Sequence, residues 1–217
     1  MAARDNKWLT VVGVGPGDPS WLTPAAYQAV AEAEILVGGP RALHLFAFLD
    51  REKRVIDADL ETLYQYLKQV RGRPTAVLVS GDPGLYSILG WLRARFPVEE
   101  IRVIPGISSV QLAFARLGRG WEGAIILSLH GRPLNLLDGY LSALSRNELL
   151  LALLTGGSNT PAEVGRYFTA KGLGKLKVWV GAQLGGPEER VAYLSARDLA
   201  GSDFDAVAVI ISGYEQG

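Results

Sequence analysis

The sequence predicts an α/β protein of two domains, the first built on a mainly parallel sheet and the second on a mixed one. Apolar runs at Leu9–Val14, Ala76–Val79 and Ile101–Ile104 each end in a glycine- or proline-punctuated turn that leads into a helical pattern. That order is the signature of parallel strands joined by crossover helices. The stretch Gly118-Arg119-Gly120-Trp121-Glu122-Gly123 has no apolar period and marks a boundary, giving domains over residues 1–117 and 123–217. In the second half, Val178–Val180, Val191–Leu194 and Val207–Ile211 lie close enough together for hairpins, hence the mixed sheet.

After the first strand, Thr23-Pro24 reads as an N-cap and first helical residue, with Ala25, Ala26, Val30 and Ala33 forming an apolar face. Ile35–Val37 is a short strand whose Gly38-Gly39 turn leads to a helix over Arg41–Phe48, placing Arg41 at its start. Val55-Ile56 is a minimal strand, and Leu63, Leu67 and Val70 give helical spacing within Leu60–Val70. Ala76–Val79 enters the loop Ser80-Gly81-Asp82-Pro83-Gly84, and a helix is expected over Leu85–Arg95. Ile101–Ile104 runs through Pro105-Gly106 to a helix beginning near Ile107-Ser108-Ser109. Beyond the boundary, Ala124–Leu129 ends in His130-Gly131-Arg132-Pro133, Leu134–Leu144 is expected to be helical, and Leu149–Leu154 is apolar enough to be covered on both faces. Thr160-Pro161 then starts a helix as Thr23-Pro24 does.

Composition narrows the function classes. The chain has 217 residues, 48% of them hydrophobic, enough for one large core or two small ones. Lys+Arg and Asp+Glu both total 22, so no global field favours nucleic acid or an acidic membrane, and an anionic ligand needs a local cluster. The absence of cysteine removes thiolate nucleophiles, disulfides and Cys-based zinc sites. With only two imidazoles, His44 and His130, no transition-metal centre is expected. The N-terminal MAARDNKW lacks an apolar signal core, and no apolar stretch approaches the ~18 residues of a membrane span, so a soluble cytoplasmic protein is expected.

Several loops carry candidate chemistry. VVGVGPGDPS, Val11–Ser20, resembles a dinucleotide loop, but Pro16 offers no N–H to a phosphate. Glu34 lies before the next strand, whereas a ribose-binding acid would come after it. Asp82 has two readings, which are compatible: an Asx turn capping the helix after Gly84, or a carboxylate that binds a cationic ligand. His130 is a candidate proton shuttle, imidazole being the side chain suited to proton transfer near neutral pH, or a hydrogen-bonded strand terminator. Arg132 and Arg41 are candidates for gripping carboxylates, against the commoner fate of a solvated arginine. Ser108 and Ser109 read most simply as helix N-caps.

Taken together, the order GVGPGDP, SGDPGLYS and PGISS resembles the tetrapyrrole methylase family over nearly the whole chain. SLHGR at Ser128–Arg132 and the pair Leu154-Thr155 look most like the branch of that family that methylates C-5 of a precorrin in cobalamin biosynthesis, the CbiE type. The resemblance implies a class III methyltransferase that binds S-adenosylmethionine (SAM), folded, between its two domains, with no metal. Carried onto this chain, it implies that Pro16 lies near the sulfur and that Ser80, Gly81 and Asp82 contact the amino-acid portion. Leu85, Ser108 and Ser109 would line the same pocket, and Leu154, Thr155, Gln183 and Leu184 would hold the adenosine. Gly15, Asp18, Arg41, His130 and Arg132 are the substrate-side candidates, while the catalytic group itself stays open, with Asp82 and His130 as candidates. Ser80 departs from the glycine found in many relatives.

A precorrin substrate, a homodimer and a separate C-15-methylating decarboxylase are the expected partners, with neither nucleic acid nor membrane among them. The alternatives are a paralogue acting at another tetrapyrrole carbon and a non-catalytic nucleotide-binding module.

Overall fold

Residues 7–57 and 59–213 are described by a computed structural model. Contacts group the chain up to Ser108 as one unit and from Ser109 onward as another. The helix after PGISS therefore belongs with the second unit, whereas the glycine-rich stretch expected as the boundary comes after that helix.

The first unit runs β1 (Leu9–Gly13), α1 (Pro24–Ala31), β2 (Ile35–Gly38), α2 (Pro40–His44), β3 (Glu52–Val55), α3 (Leu60–Gln69), β4 (Thr75–Val79), α4 (Leu89–Arg93) and β5 (Ile101–Ile104). Its five strands lie in the order β3-β2-β4-β1-β5, every neighbouring pair parallel. Alternate side chains of β1, β2 and β4 enter two separate cores. Leu9, Val11, Ile35, Val37, Val77 and Val79 face one way and pack with Leu63, Leu67 and Leu92 from α3 and α4. Val12, Leu36, Ala76 and Leu78 face the other way and pack with Ala26, Val30, Ala42 and Leu43 from α1 and α2. Coverage of both faces explains why β1, β2 and β4 read as apolar runs. Each fully buried aliphatic side chain contributes about 1.5–3 kcal/mol. At the edge, β3 exposes all four of its residues, three of them charged, which discourages pairing with another chain.

Helix starts reflect the local chemistry. Thr23 Oγ1 accepts a bond from Ala26 N (3.1 Å) and Thr160 Oγ1 from Glu163 N (3.2 Å), each with proline at the first helical position. The helix expected over Leu85–Arg95 is shorter: the chain turns through 83–88 and only Leu89–Arg93 is helical. Tyr86 has a φ of +49°, and the Ser87 hydroxyl bonds back to Pro83 O while accepting from Leu89 N, local bonds that compete with helix continuation. Similarly α2 ends at His44 rather than Phe48. The helix expected over Leu134–Leu144 is a 3₁₀ segment, Leu134–Tyr140, followed by α6 (Leu141–Ser145).

The second unit comprises α5 (Ser109–Leu117), β6 (Ile125–Ser128), α6, β7 (Leu151–Leu154), α7 (Pro161–Ala170), β8 (Lys177–Ala182), β9 (Arg190–Ser195), α8 (Ala196–Ala200) and β10 (Ala208–Ser212). The sheet order is β6-β7-β10-β8-β9. Only β6 and β7 pair in parallel; the other neighbours are antiparallel, and β8 and β9 form a hairpin, so the sheet is mixed as expected. Leu151, Leu153, Val178, Val180 and Ile210 build its core with Val164 and Phe168 of α7 and Leu199 of α8. Among the described residues, no helix is long and apolar enough to cross a membrane.

Candidate functional site

In the first unit, β1 and β4 are neighbours whose connections leave on opposite faces of the sheet, α1 against one core and α4 against the other. Such a switch point opens a crevice at the carboxyl ends of parallel strands, where α/β sheets bind ligands. The GVGPGDP and SGDPG loops meet there. Gly15 N donates to Gly81 O (3.3 Å) and Gly81 N to Gly15 O (2.8 Å), with φ of +73° and +70°, a conformation that glycine adopts without strain. The PGISS loop packs onto the same knot: a Cβ on Gly13 would stand 2.6 Å from both Gly106 N and Gly81 O, and one on Gly106 would collide with the Gly81 carbonyl.

Asp82 closes this arrangement. Its Oδ1 accepts from Gly84 N (2.7 Å), the expected Asx turn, and its Oδ2 accepts from Gly106 N (3.0 Å) in the next loop. Because a carboxylate offers about four lone-pair sites, the half-buried Asp82 keeps acceptor capacity for a ligand. Ser80 is exposed, Pro16 and Leu85 are half-buried, Ser108 is buried and Ser109 opens α5. Asp18 caps the short 3₁₀ turn Pro19–Trp21, accepting from Ser20 N (2.9 Å) and the Ser20 hydroxyl (2.5 Å). The hydroxyl, and then the amide, hold its carboxyl below the usual range. Arg41 at the start of α2 reaches this loop: a Cβ on Gly17 would lie 3.1 Å from Arg41 Nε. Gly15, Asp18 and Arg41, distant in sequence from Ser80–Asp82, therefore share one edge of one sheet.

In the second unit, the loops after β6 and β7 are likewise paired. Leu129 N donates to Leu154 O (2.8 Å), and His130 N reaches Ser128 Oγ at 3.4 Å. The His130 ring lies against Gly156 so closely that a Cβ there would collide with it. Asn159 Nδ2 donates to both Leu129 O and Arg132 O at 2.6 Å. His130 and Arg132 are both exposed. Thr155 is buried, and its hydroxyl is engaged with the end of β10: Oγ1 lies 2.7 Å from Ala206 O and accepts from Ala208 N at 2.9 Å. Leu154 is half-buried. At the β8–β9 hairpin, Gln183 has a φ of +50° and its Nε2 donates to Asp205 Oδ2 (3.0 Å), while Leu184 is buried.

Sequence reasoning assigns no separate role to Gly106, Gly156 or Asn159. Gly106 is visible within PGISS, but a lone Asn before a Thr-Pro helix start carries no signal of its cross-loop bonds. Among the described residues, no cluster of three or more His, Asp or Glu could hold a metal.

Residues 8–200 match the family model described as Tetrapyrrole (Corrin/Porphyrin) Methylases. The chain is 34% identical, over 94% of its own length and 98% of the relative's, to the cobalt-precorrin-7 C(5)-methyltransferase of Salmonella typhimurium. It is 35% identical over 90% of its length to the precorrin-6Y C(5,15)-methyltransferase [decarboxylating] of Sinorhizobium sp, of which it spans 47%. Among solved structures, the precorrin-6Y methylase (cbiE) of Archaeoglobus fulgidus superposes with a TM-score of 0.68 at 25% identity, covering 97% of this chain and 98% of that one.

Proposed function

The chain belongs to the tetrapyrrole (corrin/porphyrin) methylase family and is a methyltransferase, and from that premise we propose that it transfers the methyl group of SAM to C-5 of a precorrin or cobalt-precorrin in cobalamin biosynthesis. The observation that carries the choice of carbon is the similarity to a C(5)-methyltransferase along almost the full length of both chains.

The residues at the β1–β4 switch point fit SAM. A carboxylate with spare acceptor capacity stands at the carboxyl ends of β1 and β4, on loops that Gly15, Gly81 and Gly106 hold together by close main-chain packing. When bound, SAM supplies a methyl group already activated on a sulfonium. Asp82 accepts hydrogen bonds from the donor's ammonium, Ser80 and Gly81 flank the same amino-acid portion, and Pro16 covers the sulfur. Leu85, Ser108 and Ser109 are further candidate contacts for the donor. The Thr155 hydroxyl and N–H both bond to the segment Ala206–Ala208, so Thr155 serves the adenosine through its main-chain carbonyl, with Leu154, Gln183 and Leu184 as the other adenosine-side residues.

Arg41 and Arg132 hold substrate carboxylates, bidentately where the approach allows, with Gly15 and Asp18 beside the macrocycle. An electron-rich bridging carbon would attack the methyl carbon in line as the S–CH₃ bond breaks and S-adenosylhomocysteine leaves; this needs no nucleophilic side chain, so alignment supplies most of the rate. His130 takes up the proton that the methylated carbon releases. The reading extends to a cytoplasmic homodimer, which sedimentation at micromolar concentration tests.

Incubation with precorrins and cobalt-precorrins plus methyl-¹³C-labelled SAM, read by mass and NMR, tests the assignment. Label at C-5 supports it. Label at another carbon selects a paralogous activity, and no transfer to any tetrapyrrole overturns it.

A further inference from the structure

The two loops of the second unit that carry Ser128–Arg132 and Gly156–Asn159 are held together by one side chain. Asn159 is buried, and its amide nitrogen spends both hydrogens across the loops, on Leu129 O and Arg132 O. Those two carbonyls stand at the two ends of the turn that contains His130 and Gly131, and Gly131 has a φ of +64°. The turn is closed by its own main-chain bond, Arg132 N to Leu129 O (3.2 Å), and bonding both carbonyls to one NH₂ group anchors that closed turn to the second loop in one orientation, since the amide is planar and its two N–H directions are fixed. The main chain of Asn159 is fixed in turn: Gly156 N donates to Asn159 O and Asn159 N to Gly156 O, each at 3.2 Å. Gly156 is also the residue against which the His130 ring rests, with no room for a Cβ between them. The ring is thus supported on one side while the residue stays exposed on the other.

We propose that Asn159 is the positioning residue of this turn, which it locks against Gly156 so that His130 and Arg132 are presented to the tetrapyrrole in one orientation. The presentation to substrate rests on the methyltransferase reading above; the mechanical part does not. One amide holds both carbonyls, so removing it frees both ends of the turn from the second loop together. Asn159→Leu removes the donors at similar volume. Asn159→Asp sets an acceptor against two carbonyls and disrupts the turn more strongly. Asn159→Gln keeps an amide and restores part of the tie.

The chain has two histidines, so imidazole NMR gives a direct readout, with His44→Gln assigning the signals. His44, on α2 in the first unit, is an internal reference. The expected result is that Asn159→Leu and Asn159→Asp move the His130 signals while those of His44 stay, and that Asn159→Gln moves them less. Transfer assays on the same variants should show KM for the tetrapyrrole raised roughly tenfold with SAM affinity unchanged. If Asn159→Leu proves too unstable, Asn159→Gln and Asn159→Asp at lower temperature carry the comparison. His130 signals that do not move in any variant overturn the proposal, as does an unchanged KM alongside moved signals. Failure of methyl transfer by the unaltered protein would instead overturn the function, and the NMR result would still decide whether Asn159 sets the turn.

Discussion

Gly15 and Gly81 exchange two main-chain hydrogen bonds across the carboxyl ends of β1 and β4, and Gly106 packs onto the carbonyl of Gly81. Three loops separated by long stretches of sequence thus meet backbone to backbone, without intervening side chains. The arrangement explains why glycines occur at these turns whether or not a ligand touches them.

Gly106→Ala should destabilise the protein by about 1–3 kcal/mol, the usual cost of forcing a methyl into a packed contact. Gly90→Ala is the opposite case: the residue is exposed on α4 with open space around it, and the change should stabilise by about 0.5–1 kcal/mol. Urea titration of both variants checks the pair. Equal midpoints would mean that the loop knot is not tightly packed.

Asp82 separates structural from ligand-binding roles. Asp82→Ala removes the acceptor for Gly84 N and Gly106 N and should cost about 1–2 kcal/mol of stability. Asp82→Asn keeps one acceptor oxygen and so keeps more of that stability, but loses the charge. Calorimetry should show both variants binding SAM at least tenfold more weakly, in line with the loss of a charge-assisted bond. Wild-type affinity in Asp82→Asn would leave Asp82 as a loop tie alone.

The parts of this architecture that are legible in the sequence are those with a repeating physical signal. β1, β4 and β5 are apolar runs closed by glycine and proline, and Thr23-Pro24 and Thr160-Pro161 are local caps whose geometry needs no distant partner. β3 is visible only at its end, because an edge strand exposed at Glu52, Lys53 and Arg54 has no apolar pattern. The shortened α4 turns on the Ser87 bonds and the positive φ of Tyr86, which propensity does not register. At the site, the Asx turn of Asp82 is legible because Gly84 is so near in sequence, whereas its bond to Gly106 and the two carbonyl bonds of Asn159 are long-range contacts that leave no local trace.

Acid stability should depend on Glu100. Its carboxylate pairs with the Arg71 guanidinium and accepts from Trp8 Nε1 (2.6 Å), and these contacts, Arg71 first, hold it below the usual glutamate range. A depressed folded value stabilises the protein above the unfolded pKa of about 4.3, and the contribution disappears as pH falls through the folded value. Glu100→Gln should therefore lower the melting temperature at pH 7 and narrow its gap from wild type below about pH 4. Thermal melts across that window check the sign; a gap that widens on acidification would contradict it.

Thr155 allows a direct test of whether its side chain contacts SAM or only ties β7 to β10. Its hydroxyl accepts from Ala208 N and lies 2.7 Å from Ala206 O, while its own N–H donates to Ala208 O at 2.9 Å. Thr155→Val preserves shape but leaves the Ala208 N–H without its acceptor, which should cost about 1–3 kcal/mol. Thr155→Ser keeps the hydroxyl and loses a methyl, a change of about 0.8 kcal/mol. If the hydroxyl acts only on β10, SAM affinity in Thr155→Ser stays at the wild-type value, and any loss in Thr155→Val tracks its lower stability. A hydroxyl turned towards the adenosine would give the reverse, a Thr155→Val variant with normal stability and weakened SAM binding.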